Sequence, residues 1–274
     1  MVMVLVAEAL AGPPPMVGLT VSGAGSGPAV FEVSWDGGGS WRRVRSRAGS
    51  IVGSTYVRDH VCPLNVPSIY RVTVAGETAV SAPVTVVSDV AWIQDPLSPR
   101  GAVPVQCVRG EAGLSLLSPS LGEQSRRQVV DMVTTDGSAY PAAAVGPRMA
   151  PVGMGLHLRA AAAAQGALVT AMRALIASGS QIVLRGLPPD LGLDAVAHVV
   201  APDVTDAPIV GGVLGLLHDW QLTIHQVRPV STRISVPFWT YAQVRAMWPA
   251  STYAQTRAAR PGDTYIDWLK SPEP

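Results

Sequence analysis

The chain has 274 residues, enough for two ordinary domains or one large β domain with a sizeable core. Charged residues make up 14% and apolar ones 48%, and the formal net charge is +1, so nothing in the electrostatics argues for a nucleic-acid partner. No stretch approaches the roughly 18 apolar residues of a membrane span, and no membrane association is expected.

The chain opens on Met1 to Val6, an apolar run with no positive segment before it and Glu8 soon after, which reads as a strand rather than a signal peptide. Glycines and small residues follow in Gly23-Ala24-Gly25-Ser26-Gly27. Pro28 breaks the G-x-G-x-x-G pattern, and the segment lies between β stretches rather than before a helix, so it reads as a hairpin loop and not a dinucleotide site. Phe31, Val33 and Trp35 alternate with Glu32 and Ser34, the period-2 signature of a half-buried strand. Asp36-Gly37-Gly38-Gly39 supplies the positive-φ residues of a tight hairpin. The run Trp41-Arg42-Arg43-Val44-Arg45 restarts the chain and reads as a solvated strand or loop face.

Pro63-Leu64-Asn65-Val66-Pro67 is a rigid turn that leads into a strand with Tyr70, Val72 and Val74 on one face and Arg71 and Thr73 on the other. A last strand is expected over 83–87. Short strands at this spacing predict a β-sandwich over residues 1–90. A turn Leu followed by Tyr-x-Val-x-Val, after an earlier Trp-bearing strand, resembles a fibronectin type III domain.

A second β domain, a sandwich or barrel, is expected over 91–238. It begins at Ala91-Trp92-Ile93-Gln94-Asp95-Pro96-Leu97, with Trp92, like Trp35, at a core position. Segment 109–150 is rich in Gly, Ser and Pro and shows no clear strand pattern, with Arg126-Arg127 as a solvated pair. Met154, Leu156 and Leu158 alternate with Gly155, His157 and Arg159 as a strong strand. Residues 160–177 form one amphipathic helix, with Leu168, Met172, Leu175 and Ile176 on its apolar face and an end near Gly179. Residues 181–185 return as a buried strand. Trp220, Leu222 and Ile224 then alternate with Gln221, Thr223 and His225, and Ile234, Val236 and Phe238 repeat the pattern. One helix among many strands makes the whole mostly β, an all-β or α+β chain.

The end carries a twelve-residue repeat: Thr240-Tyr241-Ala242-Gln243, Thr252-Tyr253-Ala254-Gln255 and Thr264-Tyr265-Ile266-Asp267. Each unit is a helix start, a Thr whose hydroxyl accepts a backbone N–H and a Gln or Asp three residues on that reaches back. Pro249 and Pro261 stop the first two. Residues 239–274 are therefore expected to form short helices, marginal alone, that gain order by packing on a larger body. Trp239, Trp248 and Trp268 would serve there as interface anchors.

The residues give no catalytic constellation. His60, His157, His198, His218 and His225 are dispersed, with no second ligand at metal spacing. His157 and His225 fall on outward strand faces. His218-Asp219 is the one pair with triad potential, but no G-x-S-x-G elbow accompanies it. Asp190, Asp194, Asp203 and Asp206 read as solvated loop acids, with a weak calcium site from Asp203 and Asp206 as the lesser option. Cys62 and Cys107 read as buried free thiols rather than a disulfide. No catalytic, cofactor-binding or metal-ligating residue is assigned, and no cofactor is expected. Of the twenty basic residues Lys270 is the only lysine, which points to a GC-rich coding genome.

Three features in order resemble the minor tail proteins of long-tailed bacteriophages that infect actinobacteria. They are the fibronectin-like opening with Asp59-His60-Val61-Cys62-Pro63-Leu64-Asn65-Val66-Pro67-Ser68-Ile69-Tyr70, the W-x-x-D-P-L-x-P segment Trp92 to Pro99, and the ending of Pro202-Asp203-Val204-Thr205 followed by tandem Thr-Tyr-Ala units. That family usually shows clearer strands in its middle than 109–150 does. The resemblance implies a non-enzymatic structural protein of the virion, at the tail tip or baseplate and similar to a distal tail protein. It implies assembly with itself in a symmetric ring and contact with tube, hub and tape-measure proteins. Two rivals are a carbohydrate-binding module at the host surface, with an aromatic platform including Trp220 or Trp239, and a cell-wall hydrolase with a fibronectin-like appendage, which needs an acid pair.

Overall fold

A computed structural model describes residues 2–45, 49–107, 113–134, 136, 139–179, 181–210, 216–229, 245–248 and 252–261. The chain divides into two compact units. One comprises Met1–Val87 with the described residues between Thr232 and Pro274, and the other Ser88–Ser231.

The first unit is a six-stranded antiparallel sheet that curls around one long strand. Strand β1 (Val4–Leu10) pairs with the first half of β2 (Met16–Ser34) from Leu10↔Met16 to Val4↔Ser22. β4 (Ser50–Asp59) lies on the other side of that half. The second half of β2 pairs instead with β3 (Arg42–Arg43) and β5 (Ile69–Val74), and β6 (Glu77–Val80) borders β5.

The change of partners happens at the small-residue segment. Register shifts fall between Val21 and Ala24 and between Ala24 and Gly27, and Gly23 holds φ +69°. The segment is therefore not a hairpin loop. Its glycines form bulges inside a continuous strand, and bulges bend and twist a sheet. The fold brings β1 against β5 and β6, and Leu5, Val17, Leu19, Val21, Phe31, Val33, Tyr70, Val72 and Val74 fill the space between.

Other expectations in this unit meet mixed outcomes. The Asp36–Gly39 hairpin is present, with Gly37 and Gly38 at positive φ and the Asp36 carboxylate accepting from Ser34 Oγ (2.6 Å) and Ser40 N (2.9 Å). Trp35 lies just past the end of β2 and is only half-buried rather than in the core, with the Arg42 guanidinium stacked over its ring at 4.3 Å. Arg71 likewise lies over Trp41 at 4.3 Å while pairing with Glu32 at 2.6 Å; of the arginine run only Arg42 and Arg43 form an exposed strand, whereas Val44 is buried and Arg45 half-buried. Residues 83–87 are not a strand. A Ser68↔Val84 bridge, an Asn65 N–H to Val86 carbonyl bond and the buried Val86 side chain tie them down, and Asn65 takes positive φ in the Pro63–Pro67 turn.

The second unit is a closed seven-stranded barrel. In chain order its strands are β7 (Ala91–Asp95), β8 (Ser98–Gln106), β9 (Leu114–Leu116), β12 (Met154–Ala161), β13 (Ile182–Arg185), β14 (Val196–Val210) and β15 (Leu216–Gln226). Around the wall they run β12-β15-β14-β13-β7-β8-β9. The β9–β12 pair closes the ring, and β8–β9 is the parallel junction. Closure removes the unpaired edges an open sheet would leave.

Helix α1 (Ala162–Ala177) follows β12 directly, so 160–161 belong to the strand and the helix starts later than the sequence suggests. Its inward residues Val169, Met172 and Leu175 join Leu156, Leu158, Val103, Leu184, Trp220 and Leu222 in one core, with Leu168 and Ile176 partly buried beside them. The apolar face is thus rotated slightly from the one the spacing suggested. Full burial of each such side chain is worth about 1.5–3 kcal/mol. Gly179, at φ +62°, ends the helix.

Segment 109–150, unclear in sequence, contributes β9 and a separate two-stranded ribbon, β10 (Gln128–Val133) with β11 (Ala142–Arg148). In the tail, α2 (Tyr253–Ala259) shows the expected capping box. Thr252 Oγ1 accepts from Gln255 N, and the Gln255 side chain accepts from Thr252 N at 2.8 Å. Pro261 follows its C-cap Arg260. The first and third repeat units, the 234–238 strand, Trp239 and Trp268 lie outside the described residues.

Candidate functional site: an exposed ribbon and two polar clusters

The first cluster sits where α1 meets β14 and β15. Register places Asp206 opposite Trp220 and Pro208 opposite His218, so Asp206 lies diagonal to His218 across the strands. Arg173, reaching from α1, donates from Nε to Asp206 (2.9 Å) and lies 3.4 Å from His218 Nδ1. His218 Nδ1 is 3.5 Å from the Asp206 carboxylate, and its ring stacks on Trp220 with centroids 5.8 Å apart.

His218 and Asp219 are therefore not a dyad, because adjacent strand residues face opposite sides of the wall. His218 is buried inward, whereas Asp219 turns outward to a two-point pair with Arg159, 2.6 Å at each contact. The Arg159 hydrogen bonds hold the Asp219 carboxyl below its ordinary value, and Asp219 raises that of Arg159. Asp206 was the partner sequence reasoning missed; the only signal for it was a strand register that sequence spacing does not carry.

The second cluster lies on the other side of the wall. Alternation along β7, β13 and β14 gives a contiguous outward patch of Trp92, Gln94, Val183, Arg185, Val196 and His198, all of them buried. Arg185 is fully buried and donates from Nε to Gln94 Oε1 at 2.9 Å. The continuous apolar run of 181–185 is thereby explained: β13 is covered on both faces. A buried guanidinium depends on such partners, since an isolated buried charge costs several kcal/mol.

Of the acids expected in loops, Asp194 lies in one and is exposed, and the others are placed differently. Asp203 and Asp206 lie within β14 on opposite faces, with Asp206 engaged by Arg173, so they do not converge on one ion. Asp190 is in a one-turn 3-10 helix, Pro189–Leu191, and Asp194 accepts from Gln226. Among the described residues no group of three or more His, Cys, Asp or Glu side chains is placed to hold a metal. Trp220 is fully buried, which removes it from any aromatic platform for a glycan. Cys62 is buried in the first unit and Cys107 half-buried in the second, both as thiols rather than in a disulfide, and burial raises the Cys107 thiol. A cleft of about 340 Å³ between the end of α1 and β14 is lined by Leu175, Ile176, Ile182, Val200 and Val204, and the amide of its Gln181 donates to the Arg228 carbonyl.

Among the described residues, the ribbon carries a concentration of exposed apolar side chains. Val129, Val130, Met132, Val133, Tyr140, Val145 and Met149 are each 42% exposed or more, on both of its faces. Their exposed surface is on the order of 600 Å², at the upper end of the largest patch a monomer usually shows. An isolated two-stranded ribbon is marginal in water. This one is anchored at its base by Met149 N–H to the Arg127 carbonyl, Val152 N–H to the Ser125 carbonyl, and Arg126 to the Gly192 carbonyl. No helix among the described residues is long and apolar enough to cross a membrane.

No family model, no curated protein and no solved structure matches this chain.

Proposed function

We propose that this protein is a non-enzymatic structural component of a bacteriophage tail tip or baseplate, a minor tail protein similar in role to a distal tail protein. In that reading it assembles with copies of itself and with neighbouring tail proteins. The observation that carries it is the ordered series of motifs along the chain: a curled β unit containing the Asp59–Tyr70 segment, the Trp92–Pro99 segment opening a second β unit, and a tail with tandem Thr-Tyr-Ala units. The geometry supports it in kind. The best-defined polar groups, Arg159 with Asp219 and Arg173 with Asp206, are engaged with each other. Seven of the fifteen exposed large apolar side chains among the described residues lie on or beside one two-stranded ribbon, a concentration of the kind found in proteins that build interfaces.

The test is peptide mass spectrometry of density-purified phage particles from the culture that yields the gene. Peptides of this chain at a fixed ratio to the tube protein are expected. Their absence from intact particles, with the chain present in the lysate, would refute the reading.

A further inference from the structure

We infer that the open edge of β10 is a self-association surface: two copies of this chain pair β10 with β10 in antiparallel register about a two-fold axis through Val129. The inference stands on the ribbon alone and does not depend on a place in a virion.

The two edges of the ribbon are not equivalent. β11 carries Pro147, which has no N–H to give, and the register shift between Gln128 and Val130 places an extra residue on that strand. Proline and bulges are the devices that blunt an edge. β10 has neither, and among the described residues β11 is its sole strand partner. Its sequence Gln-Val-Val-Asp-Met-Val is rich in strand-forming residues and holds one charge.

The occupant follows from complementarity. The Arg127 carbonyl accepts from Met149, on the β11 side. By strand alternation Val129 and Asp131 turn their main-chain groups the same way, and those of Gln128, Val130 and Met132 face the open edge. A two-fold through Val129 sets Gln128 of each copy opposite Val130 of the other, so their open N–H and C=O groups exchange bonds. The same axis sets Arg127 of each copy opposite Asp131 of the other, at two equivalent places. Both side chains are exposed, and among the described residues neither forms an ion pair. Opposed strand positions of opposite charge attract and like charges repel, so the strand's charge pattern matches its own inverted copy. Being isologous, the contact yields pairs, and closure of any ring is left to other surfaces.

The test is sedimentation velocity on the full chain from about 1 to 100 µM, with far-UV circular dichroism to verify the fold. The unaltered chain should show a concentration-dependent doubling of mass. Asp131→Arg and Arg127→Asp each set like charges opposite one another, and each should weaken pairing at least tenfold. The double variant Arg127→Asp/Asp131→Arg restores opposite charges and should regain it. A chain of single mass at 100 µM, or single variants that pair as well as the unaltered chain, would overturn the inference. So would a double variant weaker than both singles. Pairing that follows this pattern in a protein absent from particles would retain the inference and remove the tail reading.

Discussion

Replacing Met172 by Ala tests the placement of α1 in the barrel core. Met172 is fully buried on α1, between Val169 and Leu175 and in one cluster with Trp220 and Leu158. Truncation removes the buried thioether arm and leaves a void that close-packed strands cannot refill, a change that costs about 2–5 kcal/mol. Against the roughly 5–15 kcal/mol by which a domain is usually stable, that is a large share. Arg173→Ala is the control one residue along. It loses the pair with Asp206 and the longer contact with His218, both made by a side chain that is 52% exposed, and should cost about 1 kcal/mol or less. Urea unfolding followed by circular dichroism, with hydrogen exchange read on barrel peptides, separates the two. Equal losses for both variants, or unchanged exchange across β12, β13 and β15 in the Met172 variant, would show that α1 is not part of this core.

Gly113→Ala should be strongly destabilising: Gly113 holds φ +98°, and a Cβ there would lie 2.6 Å from the Pro104 carbonyl oxygen. A loss of more than about 1 kcal/mol in thermal or urea melts is expected. Gln94→Leu removes the acceptor of the buried Arg185 Nε and should cost about 1.5–3 kcal/mol by the same melts. Because Arg159 depresses the Asp219 carboxyl, the pair contributes stability above the ordinary carboxylate value, and that contribution is lost as pH falls through the lowered one. The stability difference between the unaltered chain and Asp219→Asn should therefore shrink on acidification, as read by melts between pH 7 and pH 2. Thr252→Ala removes the hydroxyl that caps α2 and should lower protection of 253–259 in hydrogen exchange, by about 0.5–2 kcal/mol of local stability.

Local pattern was legible wherever one physical rule governed the outcome. Alternation placed Tyr70, Val72 and Val74, and later Leu222 and Ile224, on buried faces because a strand has period two. The Thr252–Gln255 box was readable because capping is local, set by residues three apart. What failed depended on partners distant in sequence. Gly23–Gly27 reads as a loop in isolation, and only pairing with β4 shows it to be a bulged bend inside one strand. Asp203 and Asp206 look like loop acids beside Pro202, yet the long β14–β15 pairing carries the ladder through them. The burial of Arg185 on an outward face and the meeting of Asp206 with His218 are tertiary facts, without a sequence period to report them. The ribbon was obscured because a strand exposed on both faces has no alternation to display.

The central claim is a place at the end of a phage tail, and immunogold electron microscopy on particles tests it most directly. With an antibody raised against this chain, gold is predicted at one tail end of intact particles. Label confined to cells, with particles unlabelled, would contradict it.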